Sequence, residues 1–377
     1  MKIGILTFHA AHNYGSMLQN YALQQILIRL GHEPETINLR TSIQKEIYNF
    51  FEKFSKIQDK KHIVRKMIFY PWKRSLQIKY NLFENFLSKE LKLSEEINDS
   101  GIISSLPLYD AYIIGSDQCW NVDADDFDWS YFLGFAPENA RRLSYAISMG
   151  PNPKAAFEVQ KGIEERVLRE LNHFDGISVR DVDTKNIVGE ISNNNLVADI
   201  HVDPTLLLSK KEWEEKAGTI PIIKKPYVFF YNPYWISDVF QQAYEFGKLT
   251  GLPVVSSVPN MLGLIKYPSF VNVFETGPWE FLNLVKNAEY IIGRSFHLMV
   301  FSIIFQKKFV AINGLGDSRI KQLLTATNLE KCASEDGNLK DVLDNIQELD
   351  FSFSENWLEQ EYLKSTDWLC AKLECQR

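Results

Sequence analysis

The chain has 377 residues, more than one ordinary core accommodates and comfortable for two domains. Its 41 basic and 48 acidic residues leave a net charge of −7, which excludes nucleic-acid binding by an overall basic surface. No run reaches the roughly 18–20 uninterrupted apolar residues of a membrane span. The four cysteines, Cys119, Cys332, Cys370 and Cys375, form no C-x-x-C pair, so neither a zinc site nor a disulfide framework is expected.

The opening MKIGILTFHAAHNYG is too short and too quickly polar for a signal peptide. It reads as a strand running into a loop, and the expected compartment is the cytoplasm. Within it, KIGILTF (2–8) is a short, β-branched-rich run suited to a buried parallel strand. After the loop HAAHNYGS, the stretch MLQNYALQQILIRLG sets Leu18, Tyr21, Ala22, Gln25, Ile26 and Leu30 near helical spacing, and Gly31 closes it. EPETINL follows as a second strand. Strand–loop–helix–strand is the opening of an α/β sheet.

Further strands are predicted at YDAYIIGSD (109–117), RRLSYAISM (141–149), GISVRD (176–181) and LVADIHVDPTLLL (196–208), with helical segments between several of them. A second series begins after Pro221 with PYVFFYN, PVVSSV, FVNVFE, AEYIIG and KFVAIN. The pattern is two open α/β units in tandem, joined across the charged stretch at 209–225. The expected division is residues 1–215, 216–354, and a C-terminal amphipathic helix over 355–377 that packs back on the first unit.

Residues 45–80, within an insertion over about 42–100, carry about ten basic side chains against three acidic ones, interleaved with aromatics. Two readings stand: a solvated helical insertion whose aromatics pack on the first unit, or a surface that touches an anionic membrane or a lipid-linked substrate.

Four strand ends carry candidate chemistry, because ligands of open α/β sheets bind past the C-terminal ends of strands. In FHAAHNYGS, Gly15 lets the backbone approach a ligand, while His9, His12, Asn13, Tyr14 and Ser16 line the same loop. An ordinary capped turn is the alternative. In IIGSDQCWN, Ser116 and Asp117 either cap a helix or face the cleft, where Asp117 would act as a base or accept from sugar hydroxyls, with Trp120 offering a flat face to a sugar. The neighbouring DADDFDW has D-x-D spacing but reads as a solvated acidic loop, and no metal is expected. In ISVRD, Arg180 either pairs with a nearby aspartate or presents its fork to a carboxylate or phosphate. In AEYIIGRSFHLMVFSIIF, an apolar strand meets an apolar helix across Gly293, Arg294, Ser295, Phe296 and His297. A helix N-terminus there combines backbone N–H groups, a hydroxyl, a guanidinium and an imidazole, a recipe for binding a phosphorylated anion. A core histidine with Ser295 as a simple cap is the competing reading.

Taken in order along the chain, ILTFHAAHNYGSMLQNYALQ, IIGSDQCWN, YFLGFAPENARRLSYAISMG, ISVRD, VDPTLLLSKKEW, FLNLVKNAEYIIGRSFH and GDSRIKQLL resemble the polysaccharide pyruvyl transferase family. The resemblance implies two Rossmann-like domains facing a cleft, as in GT-B glycosyltransferases, with the acceptor on the N-terminal side and the donor on the C-terminal side. It implies transfer of the enolpyruvyl unit of phosphoenolpyruvate onto two hydroxyls of a hexose, closing a cyclic ketal and releasing phosphate. The acceptor would be a cell-surface polysaccharide or its lipid-linked precursor. That reaction forms no carbon–carbon bond and has no redox step, so no cofactor is expected, and the membrane reading of the basic insertion would place the protein peripherally at the inner face of the membrane. By the same resemblance, His297 matches the histidine of the S-F-H motif, Arg180 the S-V-R arginine and Asp117 the G-S-D aspartate.

One departure surrounds the histidine. The family usually has Thr-Asp before S-F-H and Gly-Thr or similar after it; here Gly293 and Arg294 precede, and Leu298 and Met299 follow. Arg294 either strengthens anion binding or marks a changed donor or acceptor. A nucleotide-sugar glycosyltransferase on the same scaffold and a non-catalytic sugar- or anion-binding relative remain the alternatives.

Overall fold

The structure, a computed structural model, describes residues 1–48, 68–99, 101, 108–150, 154, 157, 162–335 and 337–375. The first half runs β1 (Lys2–Leu6), α1 (Tyr14–Arg29), β2 (Glu33–Thr36), α2 (Ser42–Tyr48), α3 (Lys73–Glu90), β3 (Ala111–Ile114), β4 (Arg141–Ile147), α4 (Ile163–Leu171), β5 (Gly176–Val179), α5 (Val182–Ile191), β6 (Ala198–Ile200) and α6 (Lys210–Ala217). The second runs β7 (Val228–Tyr231), α7 (Ser237–Thr250), β8 (Val254–Ser256), α8 (Met261–Lys266), β9 (Val271–Asn272), α9 (Pro278–Asn287), β10 (Tyr290–Gly293), α10 (Phe296–Ile304), β11 (Lys308–Ile312), α11 (Ser318–Ala326), β12 (Ala333–Ser334) and α12 (Leu339–Asn345), before the long α13 (Ser352–Leu373).

Each half is an all-parallel six-stranded sheet, in the orders β2-β1-β3-β4-β5-β6 and β12-β11-β10-β7-β8-β9. The runs read as strands form them, because strands covered by helices on both faces need no polar alternation. Two details differ. VDPTLLL leaves the sheet after Ile200 and turns into a short 3₁₀ helix, Pro204–Leu207, capped by Asp203, because Pro204 has no N–H to give a ladder. The two-residue β12 is too short for any periodicity.

Strand order locates the crevices. In the first sheet the chain reverses between β1 and β3, and in the second between β7 and β10. Ligand crevices of open sheets open at such reversals, past the carboxyl ends of the flanking strands. The loops in question are 7–13 and 115–121 in one half, and 232–236 and 294–295 in the other.

Helix α1 joins the halves. Thirteen of its sixteen residues are buried, and the exposed ones, Ile28 and Arg29, lie in its last turn. Its buried amides are paired: Gln19 Nε2 donates to Thr7 Oγ1 at 2.8 Å, and Gln24 Nε2 to Thr36 Oγ1 at 2.7 Å. One apolar cluster runs from Ile5 and Leu18 through Trp213 to Phe229, Phe281 and Val300, so the two sheets share a core. The C-terminal helix also returns to the first half, where Trp368 Nε1 donates to Asp199 Oδ2 at 2.8 Å and Lys372 Nζ to the Asp175 carbonyl at 3.1 Å. In the basic insertion, Phe69 is fully buried and Trp72 packs edge-on against Phe274 of the second half at 5.9 Å. The membrane reading of this stretch falls mainly on residues 49–67, outside the described residues. Among the described residues, no helix is long and apolar enough to cross a membrane.

Trp213 tests the shared core. Its indole is fully buried, donates to the Thr205 carbonyl at 3.0 Å and meets Phe301 edge-on at 5.2 Å. Trp213→Ala is expected to cost about 3–5 kcal/mol, read as a lower urea midpoint. An unchanged midpoint would argue against a core continuous between the halves.

Candidate active site

The crevices of the two sheets face each other, and one buried carboxylate ties their walls together. Asp203, fully buried just past β6, takes Arg180 Nη1 at 3.0 Å, and Ser116 Oγ lies 2.8 Å from its Oδ2. Thr205 donates to its Oδ1 from the backbone at 3.0 Å and from the hydroxyl at 2.7 Å. From the second half, His297 Nε2 stands 3.4 Å from Oδ2. Burial alone would raise the pKa of this carboxyl; the facing His297, Arg180 and Thr205 outweigh that and hold it well below the usual carboxylate range.

Arg180 leaves β5 at the crevice. Besides Asp203, its Nη2 is 3.9 Å from Asp117 Oδ1, and its guanidinium lies 4.7 Å from the centre of the Phe296 ring. Its Nε is buried without a hydrogen-bond partner among the described residues. Gln322 of α11 reads the backbone beside it from the opposite half, accepting from Val182 N at 3.0 Å and donating to the Arg180 carbonyl at 3.2 Å.

Asp117 follows β3 with a φ of +84°, a left-handed conformation that costs a non-glycine residue about 1–3 kcal/mol. The turn aims its carboxylate at the next crevice loop, where Ser16 Oγ donates to Oδ2 at 2.6 Å, and it caps Gln118 N at 2.9 Å. Asn13 caps α1, accepting from Gly15 N and Ser16 N.

His297 lies in the first turn of α10. Ser295 takes the extended N-cap geometry, yet its hydroxyl makes no capping bond, which leaves first-turn N–H groups of α10 uncapped. His297 Nε2 is buried and faces only Asp203 Oδ2, at 3.4 Å, with no well-aligned hydrogen bond among the described residues. The Nδ1 edge of the ring rests on Gly15 so closely that a Cβ there would overlap it. Gly293 is equally constrained, since a Cβ would strike the Tyr231 carbonyl of the paired strand. Arg294 is half-buried and has no ion-pair partner among the described residues.

The structure thus brings Gly15, Ser16, Asp117, Arg180, Phe296 and His297 together, beside Arg294 and Ser295. Four expectations are corrected. Trp120 is no sugar platform: its indole is 1% exposed, stacks on Phe132 at 5.2 Å and donates to the Tyr131 carbonyl at 3.0 Å. His9 is buried with Nδ1 3.1 Å from the Thr7 carbonyl and Nε2 2.9 Å from Asn38 Oδ1, so both ring nitrogens are occupied, and burial lowers its pKa. Ser116 is fully buried and serves Asp203 rather than a ligand. Tyr14 is covered by the second half, its ring stacked on Phe281 at 4.6 Å and its hydroxyl 2.7 Å from Thr276 Oγ1. His12 forms a separate cluster: Nε2 meets Glu84 Oε1 at 2.7 Å, and Arg40 grips the same carboxylate. Burial opposes that charge, but the bonds from His12 and Arg40 win and bring Glu84 down to about 2. Asp203 and Gln322 were not singled out in the sequence. The Asp-Pro-x start of a capped turn was the available signal for Asp203; Gln322 had none. Among the described residues, no group of three or more His, Cys, Asp or Glu side chains is placed to hold a metal ion.

Two substitutions test this construction. Asp203→Asn keeps the shape but strands the buried Arg180 charge, and is expected to cost about 3–5 kcal/mol. Because the folded pKa of Asp203 is depressed, its contribution is present above the ordinary carboxylate pKa and is lost as pH falls toward the folded value. Acid unfolding of wild type and variant should therefore converge at low pH. Gly15→Ala should push the two halves apart at His297 and lower the melting temperature by several degrees; a wild-type melting temperature would mean that the contact yields freely.

A sequence model of polysaccharide pyruvyl transferases matches residues 13–314. No curated protein matches the chain. Among solved structures, UDP-GlcNAc 2-epimerase from Neisseria meningitidis bound to UDP-GlcNAc is 10% identical, with a TM-score of 0.53 and 100% of both chains covered. The Methanocaldococcus jannaschii UDP-GlcNAc 2-epimerase in complex with UDP-GlcNAc and UDP is 11% identical, with a TM-score of 0.51, covering 98% of this chain and 100% of that one. An α-glucosyltransferase in complex with UDP is 10% identical, with a TM-score of 0.50, covering 98% and 95%. At such identities the likeness speaks for the fold alone, which is the two-domain GT-B architecture. With a family match that takes in the α1 start, Asp117, Arg180, Asp203 and His297, the chain belongs to the polysaccharide pyruvyl transferase family.

Proposed function

We propose that this protein transfers the enolpyruvyl group of phosphoenolpyruvate to two hydroxyls of a hexose in a cell-surface polysaccharide or its lipid-linked precursor. The supporting observation is the concentration of unsatisfied donors at one point of the cleft. The uncapped N-terminus of α10 lies there, flanked by Arg294, which has no ion-pair partner among the described residues, and by Arg180, whose Nε has no hydrogen-bond partner among them; His297 stands beside these groups with Nε2 facing Asp203. Phosphoenolpyruvate carries a phosphate and a carboxylate, and needs two such cationic or N–H-rich corners. The helix start with Arg294 takes the phosphate in this reading, and Arg180 the carboxylate.

The chemistry follows from proton placement. His297 gives a proton to the methylene carbon, and the central carbon gains oxocarbenium character. The first sugar hydroxyl adds there, losing its proton toward Asp117, the more open of the two acid–base groups. Phosphate leaves and the second hydroxyl closes the ketal. The two hydroxyl protons end on the new methyl group and on phosphate, so the reaction involves no redox step. Both edges of His297 are covered in the closed arrangement, so entry of the donor requires the halves to part at the Gly15 contact.

Two other readings have a specific observation behind them. Two solved structures of similar fold, an epimerase and an α-glucosyltransferase, are bound to UDP-GlcNAc and UDP, which favours a nucleotide-sugar glycosyltransferase. The exchange at Arg294 favours a binding protein without turnover. Thermal shift separates the ligands, since one that binds only the folded chain at about 100 times its Kd adds about 2.7 kcal/mol. Phosphoenolpyruvate is expected to raise the melting temperature, and UDP- and GDP-sugars are not; the reverse pattern would sink the proposal. With hexose-bearing glycans, wild type should release phosphate, and a folded His297→Ala should release it at least about 100-fold more slowly.

A further inference from the structure

Lys79 of α3 plays no part in the chemistry above, yet its amine sits at the seam of the two halves. Nζ reaches the Ser257 carbonyl at 3.3 Å and the Thr276 carbonyl and Oγ1 at 3.1 Å each, and it touches the Tyr14 hydroxyl. It also lies over the Tyr14 ring, 4.6 Å from the centroid, and 5.2 Å from that of Phe83. Lys79 and Tyr14 belong to the first half. Ser257 follows β8 and Thr276 precedes α9 in the second. Every one of these partners is neutral.

No carboxylate lies within ion-pair distance of Lys79 among the described residues. The charged and titratable groups around it are otherwise engaged. Glu280 of α9 accepts from Gly277 N at 2.9 Å; Glu275 takes Ser75 Oγ at 2.9 Å; Glu84 is held by Arg40 and His12. Burial pushes the Tyr14 phenol up, so it is no counter-ion. A buried ammonium without a partner of opposite charge is strongly disfavoured, whereas the free amine still donates its two N–H groups to the Ser257 and Thr276 carbonyls and offers its lone pair to a hydroxyl.

We infer that Lys79 is a positioning residue, clasping the two halves as an uncharged amine at the setting where Gly15 meets His297. The lever is short: Tyr14 immediately precedes Gly15, and the clasp holds Tyr14 against Thr276 of the opposite half. Burial pushes the amine down to about 7 from an ordinary 10.5, with Glu280 opposing only in part. The open or unfolded chain therefore binds more protons than the clasped one between these values. Stability from the clasp rises with pH across that window and is lowest below it, where both forms are charged. The inference rests on the proposed function only in calling the His297 cleft the active site. The clasp itself needs no substrate to be measured.

The test compares wild type, Lys79→Met and Lys79→Arg as full-length chains, by thermal unfolding between about pH 7 and pH 9.5. Wild type should gain several degrees relative to Lys79→Met, whose profile should be flatter. Lys79→Arg keeps its proton throughout, so it should be the least stable at the alkaline end and show no such gain. Should the methionine variant not fold, Lys79→Gln takes its place. Equal slopes in wild type and the neutral variant would overturn the uncharged clasp. Positioning is read separately, by amide exchange of residues 13–17: faster exchange in Lys79→Arg than in wild type is expected, and unchanged protection would overturn that part. A protein that fails to bind phosphoenolpyruvate but passes both measurements would refute the proposed reaction and leave the clasp standing.

Discussion

The site depends on one constraint: the Asp203 carboxylate is fully removed from water and must be paired from several directions at once. Desolvating such a group costs several kcal/mol, which only good geometry offsets. Its partners come from the ends of β3 and β5, from its own turn, and from α10 in the other half. Each of those elements is therefore fixed in relation to the others by the need to satisfy one anion. Arg180 spends one arm there, which holds its guanidinium near the Phe296 ring and leaves Nε without a hydrogen-bond partner among the described residues. A stability requirement of the fold thus produces an under-satisfied cation at the cleft.

The same seam carries the contacts that set how far the halves close. Tyr14 stacks between Phe83 of its own half and Phe281 of the other, and the next residue is a glycine against the His297 ring. Aromatic burial draws the halves together, and the absence of a Cβ at 15 decides where they stop. The proposed donor seat at the α10 start and the closure surface at Tyr14 and Gly15 meet in space at the His297 ring, so binding at one is mechanically tied to the other.

Much of this was legible in the sequence. Eleven of the twelve strands among the described residues lie within runs that the sequence marks as strands, and Gly31 marks the end of α1 with a φ of +82°. Gly15, Asp117, Arg180 and His297 were found because strand ends are where such sheets bind ligands. What escaped shares a cause. Trp120 and His9 sit in polar-looking loops that fold back inward, and one-dimensional spacing does not reveal which side of a turn is buried. Asp203, Gln322 and Lys79 reach the other elements of the site through partners 23, 142 and 65 or more residues away, a pairing that topology creates.

Charge balance bears on the meaning of Arg294. Near the proposed phosphate seat stand two carboxylates, Asp117 and Asp203, and two guanidinium groups, Arg180 and Arg294. An acidic residue at 294, as the resemblance implies for the family, would turn that even balance into three charges against one. An approaching phosphate would then rely on the α10 N-terminus, whose partial charge of about half a unit falls off within a turn. With arginine there, the anion meets a neutral set with a guanidinium at its edge that has no ion-pair partner among the described residues. The exchange therefore acts in the direction of tighter anion capture. On these grounds the altered motif fits a changed balance between donor affinity and release more readily than a site that has lost its ligand.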